Sequence, residues 1–143
     1  MIEKEIIESR LHRLSNYLRI LNDLRTIQAD KFISDPKIYG SAERFLHLAI
    51  ECTLDIGNHI ISLKQFRRPS DYREIFTILG EQKILPKELV SEFEKMAQFR
   101  NRLVHVYWDL DHKFVHKILQ TSLRDFDKFA KYIVDFIEKE NTT

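Results

Sequence analysis

The chain has 143 residues, with 23 Lys and Arg against 22 Asp and Glu and a formal charge of +1. That length suits one compact domain spanning residues 1–143, and the near-neutral balance excludes a polybasic, histone-like protein, so any nucleic-acid contact has to be a local site. With 43% hydrophobic and 31% charged residues the composition is globular, and 3 Gly and 3 Pro favour long helices over hairpins.

The first predicted helix runs from Ile2 to about Asp30. Ile7, Leu11, Leu14, Leu18 and Leu21 recur at steps of four and three, which makes one apolar stripe suited to packing along another helix. Arg10, Arg13, Arg19 and Arg25 fall between these positions and read as its wet side. Ser34-Asp35-Pro36 is a start signal for a second helix running to roughly Lys64, with Phe45, Ala49, Cys52, Ile56, Ile60 and Leu63 as its stripe. Arg67-Arg68-Pro69-Ser70 breaks it. Ser70 then caps a short helix from Tyr72 to Leu79, which Gly80 closes in the left-handed conformation. Leu85-Pro86 opens a fourth helix with the stripe Leu89, Phe93, Met96 and Leu103. After Asp109-Leu110-Asp111 a last helix spans about His112 to Glu140, with Val115, Ile118, Phe126, Phe129, Ile133 and Ile137 inward and a bend near Gln120. The expectation is an all-α, antiparallel four- or five-helix bundle.

The fourth helix carries an anomaly. Extending its stripe from Phe93 and Met96 lands on Arg100, where a leucine would serve the core. A buried guanidinium needs a partner, a wet cleft or an anionic ligand. Between Glu94 and Asp109 there is no acid, while Lys95, Arg100, Arg102 and His105 are all present. At 100° per residue Arg100 and Tyr107 lie about 20° apart, but Arg100 and His105 about 140° apart. One straight helix therefore cannot aim both the same way. Either it ends near His105, or a second copy of the chain completes the site. A two-fold dimer is the favoured solution.

These residues read Gln98-Phe99-Arg100-Asn101-Arg102-Leu103-Val104-His105-Val106-Tyr107. The string resembles the Arg-x4-His-x-Tyr signature of the HEPN superfamily, and specifically the HepT toxin family of HepT/MntA type VII toxin–antitoxin systems. Gly40-Ser41-Ala42-Glu43-Arg44 through Ala49-Ile50-Glu51, Asp55-Ile56-Gly57-Asn58-His59 and the Pro-Ser-Asp-Tyr segment ending at Tyr72 also look like family positions. The resemblance implies a HEPN-like helical homodimer, a metal-independent RNase without a cofactor, RNA of tRNA or mRNA type as substrate, and a minimal nucleotidyltransferase antitoxin as partner. It further implies that the antitoxin transfers AMP to Tyr107 and so silences the toxin.

The residue types suit that chemistry. RNA cleavage without a metal needs the ribose 2′-OH to attack the adjacent phosphate, one group to take a proton and another to protonate the departing 5′ oxygen. His105, with an ordinary pKa of about 6.5, can serve either role near neutrality. Arg100 can stabilise charge on the transferring phosphoryl group. Asn101 can orient His105 or donate to phosphate, and Arg102 shares a face with His105. The rival readings are a non-catalytic HEPN-type module that binds a nucleotide or nucleotidyltransferase, and a scaffold whose basic tract is only a dimer contact.

Plainer readings apply elsewhere. Arg100 can simply pair with Glu51 or Asp55 inside the bundle. Glu51, Asp55 and His59 have spacing acceptable for a metal but read better as polar supports or surface pairs. His112 and His116 form an i, i+4 pair with no third zinc ligand in view. Lys64, Arg67 and Arg68 either grip RNA or line a solvated loop. Trp108 reads as a packing aromatic. Cys52, the lone cysteine, excludes an internal disulfide and reads as a small core residue. The start Met1-Ile2-Glu3-Lys4-Glu5 lacks the order of a secretion signal, and no apolar run reaches the ~18 residues of a membrane span, so a cytoplasmic location without membrane contact is expected.

Overall fold

The computed structural model describes residues 2–104 and 110–141, with side chains from residue 4 onward. His105, Tyr107 and Trp108 lie outside the described residues, so the expectations placed on them concern positions without a structural account. The described residues form α1 (Ile2–Arg25), α2 (Ala29–Ser34), α3 (Pro36–Lys64), α4 (Tyr72–Glu81), α5 (Lys87–Val104), α6 (His112–Thr121) and α7 (Leu123–Asn141). The architecture is all-α, as expected, with two helices more than the sequence reading allowed.

One extra helix, α7, comes from a break within a predicted one, and the other, α2, fills the stretch between the first two predicted helices. The first predicted helix stops at Arg25, where Thr26 and Ile27 turn back onto the carbonyls of Asp23 and Leu24. The chain then re-forms a short helix that buries Phe32 completely. The bend expected near Gln120 is a full break. At Ser122 the backbone leaves α6, and α7 starts one residue later.

The helix ends follow local chemistry. Asp35 precedes Pro36 and its carboxylate accepts from Lys37 N at 3.0 Å, a cap of the kind worth about 1 kcal/mol. Gln65, with φ 58°, closes α3 in the left-handed region, and Phe66 N donates to Ile61 O at 3.0 Å. Two expectations for α4 need correction. Its cap is Asp71, which accepts from Glu74 N at 2.8 Å, while Ser70 donates its own backbone N–H to Glu74 at 3.0 Å. Gly80 does not close the helix, which runs on to Glu81 with Lys83 supplying the positive φ of 60°. Gly80 instead lets α5 approach: a Cβ there would meet Val90 Cγ2 at 2.7 Å.

Helix α3 is central and contacts α1, α2, α4, α5 and α6. It must therefore be apolar on more than one face, and Ala42, Leu46, Ala49, Ile50, Cys52, Leu54, Ile56, Ile60 and Ile61 are all buried. Phe76, Phe93, Phe126 and Phe129 knit α4, α5 and α7 together, with ring centroids 5.1–6.3 Å apart. Among the described residues no helix is long and apolar enough to cross a membrane. The consequence for the site is that α3, α4 and α7 pack against α5 and fix its position.

Candidate functional site

Arg100 sits one turn before the end of α5, at the margin of the core, with a side chain only 16% exposed. Its Nε donates to Glu51 Oε1 on α3. Its Cζ lies over the Tyr72 ring of α4, 4.6 Å from the centroid. Its Nη1 faces Asn101 Oδ1 at 3.4 Å. The stripe-breaking arginine thus has the partner that burial demands, and that partner is one of the two acids expected for it. Three helices converge on one guanidinium, and a cation over an aromatic face adds about 0.5–2 kcal/mol.

His47, one turn before Glu51 on α3, places Nε2 3.5 Å from the same Glu51 Oε1, while its Nδ1 lies 3.4 Å from Arg44 Nη1. Burial pushes its imidazole below the ordinary value; Glu51 opposes that, and the Arg100 and Arg44 cations reinforce it. His47 is accordingly neutral near pH 7. No local pattern singles it out, because its role depends on a cation 53 positions away.

One turn further along α3 the pattern repeats. Asp55 accepts from Arg10 Nε of α1, with His59 Nε2 at 3.6 Å. Arg10 is therefore a half-buried partner and not part of a wet face. Between the two ion pairs lies a cleft of about 240 Å³, whose lining includes Arg13, Glu51, Asp55, Asn58 and Tyr72. Glu51, Asp55 and His59 are engaged with protein side chains, and the described residues hold no cluster of three groups that could bind a metal.

The remaining candidates resolve plainly. His112 Nδ1 meets Glu43 Oε2 at 2.7 Å and its ring stacks on Tyr39, whereas His116 Nε2 meets the Ile27 carbonyl at 3.0 Å. The two imidazoles serve separate partners, not one zinc. Lys64 pairs with Glu140 at 2.5 Å. Arg67 is clasped by Glu74 and Glu81 at 2.8–3.0 Å. Cys52 is buried, and burial pushes its thiol up to about 11, the state of an inert core residue. Asn101 and Arg102 are exposed beside Arg100.

The family description "Ribonuclease HepT-like" matches residues 14–133. The chain is 32% identical over 143 residues to the tRNA nuclease HepT of Aphanizomenon flos-aquae, covering 98% of this chain and 97% of that one. It is 27% identical over 125 residues to the mRNA nuclease HepT of Shewanella oneidensis, covering 86% and 94%. It also superposes, with a TM-score of 0.84 and 26% identity over 91% of this chain and 97% of the other, on a structure described as the tri-AMPylated Shewanella oneidensis HEPN toxin in complex with MNT antitoxin. Likeness along nearly the whole chain, in sequence and in fold, leads to one conclusion: the chain belongs to the HepT-like ribonuclease family.

Proposed function

We propose that this chain is the toxin of a toxin–antitoxin pair, a metal-independent ribonuclease that acts in the cytoplasm as a homodimer of single-domain protomers. Arg100 and His105 carry the reaction, with Asn101 and Arg102 in support. A minimal nucleotidyltransferase antitoxin silences it by transferring AMP to Tyr107. The observation that carries this reading is the state of Arg100. Its Nε edge is bound by Glu51, while its terminal nitrogens meet only Asn101 Oδ1, at 3.4 Å, among the described residues. A fixed guanidinium with a free fork is a phosphate receptor five residues before an imidazole.

The chemistry balances without a cofactor. One His105 takes the 2′-OH proton as the oxygen bonds to phosphorus. The P–O5′ bond breaks, and His105 of a second copy delivers a proton to the departing oxygen. Arg100 donates to the phosphoryl oxygens as their charge grows. An AMP on Tyr107 adds a nucleoside and a negative phosphodiester beside the same groups, which obstructs an RNA strand by bulk and by charge. The relatives support the reading by name, one a tRNA nuclease and one an mRNA nuclease, as does the AMPylated toxin that shares the fold.

The test combines cleavage and mass. The purified chain should degrade RNA in EDTA, and His105→Ala should abolish this while leaving the dimer intact. Co-expression with the antitoxin should add AMP to the intact mass, and Tyr107→Phe should remove that increment. Full cleavage by His105→Ala, or a persistent AMP adduct on Tyr107→Phe, contradicts the assignment.

A further inference from the structure

Glu51 and Tyr72 hold Arg100 along two independent directions. The Glu51 carboxylate binds Nε and sets where the guanidinium edge lies in its own plane. The Tyr72 ring lies under Cζ at 4.6 Å and sets the tilt of that plane. Arginine gives up rotamer freedom when fixed, and a contact in only one direction would leave it swinging about the other. The two supports come from different helices, α3 and α4, and each is itself anchored. Glu51 lies beside buried Ile50 and Cys52 of α3. Tyr72 is the first residue of α4, directly after the Asp71 cap. Tyr72 is 45% exposed, too open for core packing to explain an aromatic residue there.

We propose that Glu51 and Tyr72 are positioning residues for the ribonuclease, fixing the guanidinium of Arg100 so that its terminal nitrogens face the scissile phosphate. This rests on the nuclease reading above. Neither side chain touches RNA, and both act through Arg100. His47 backs the arrangement from behind Glu51, with Nε2 3.5 Å from the same carboxylate oxygen that accepts from Arg100. Among the described residues, the other charged groups around the pair are Arg44, against His47, Arg13, across the cleft that Glu51 and Tyr72 line, and Arg10 with Asp55 one turn along.

The experiment follows turnover and the Arg100 Nε–H signal in parallel. Glu51→Ala and Tyr72→Ala should each lower kcat tenfold to a hundredfold, with KM changing less than about threefold and the dimer retained. Tyr72→Phe, which keeps the ring face, should stay within about threefold of wild type. In ¹⁵N spectra the Arg100 Nε–H peak should lie downfield in the wild type, move upfield in Glu51→Ala and shift again in Tyr72→Ala. Wild-type kcat in both alanine variants overturns the proposal, as does equal loss in Tyr72→Phe and Tyr72→Ala, or an Nε–H peak indifferent to both positions. Failure of the nuclease reading looks different: the wild type itself cleaves no RNA, and the spectra then decide whether the guanidinium is held as described.

Discussion

Among the described residues Arg10, Arg67 and Arg100 bind carboxylates, and the difference between the last two separates a clasp from a candidate reagent. At Arg67 all three guanidinium nitrogens donate to carboxylates, Nε and Nη2 to Glu81 and Nη1 to Glu74, so its charge is already matched by two acids. At Arg100 a single carboxylate holds Nε and an aromatic face supports the plane, while the fork stays open among the described residues. Burial shapes a third residue differently. The Cys52 thiol is raised from 9.0 to about 11 chiefly by desolvation, with Arg10 and Arg13 pulling the other way. The native state therefore holds the proton that the unfolded chain releases above pH 9. Stability from this group is complete below pH 9 and is lost as pH rises from 9 to 11. Urea unfolding from pH 8 to 11 should show this alkaline decline, and Cys52→Ala should flatten it. Equal slopes in the two proteins would contradict the assignment.

At the scale of elements, the three glycines, all within helices, predict opposite outcomes for one substitution. A Cβ at Gly57 would lie 2.4 Å from Ile75 Cγ2, and one at Gly80 2.7 Å from Val90 Cγ2. Both neighbours are β-branched and stiff, so the α3–α4 and α4–α5 contacts must open to admit a methyl. Gly57→Ala and Gly80→Ala should each destabilise by about 1–3 kcal/mol. Gly40 has nothing within 4 Å of its Cβ position, and Gly40→Ala should stabilise by up to about 1 kcal/mol through helix propensity. Denaturation midpoints of the three variants check the signs, and a stabilising Gly80→Ala would return that residue to a simple end-of-helix role. The bounds of α3, Pro36 to Lys64, were readable because a proline, a cap and a long stripe agree locally. The split at Ser122 was foreshadowed by the bend expected near Gln120, but the detour through α2 was not, since Phe32 is buried by tertiary packing that no local pattern announces. Gly80 was misread for the same reason: its use depends on Val90, a residue on the next helix.

For the whole molecule, the site is legible in the sequence in proportion to how local it is. Arg100 was conspicuous because it interrupts a stripe, and its match with Glu51 was foreseeable from α3 and α5 each presenting an unmatched charge. Tyr72 and His47 escaped notice as partners of Arg100, since their roles exist only once α3, α4 and α5 are assembled. That assembly presents a fixed, open-forked guanidinium one turn short of the end of α5 at Val104. If the fork serves a 2′-OH attack with imidazole as the proton carrier, no metal hydroxide takes part, and the chemistry is written in the product ends. The most direct measurement is mass spectrometry of RNA fragments released by the purified chain in excess EDTA. The account predicts 2′,3′-cyclic phosphate and 5′-hydroxyl ends, and no cut where the scissile ribose is replaced by a 2′-deoxyribose. Ends bearing 3′-hydroxyl and 5′-phosphate, or cleavage that survives the deoxy replacement, would contradict it.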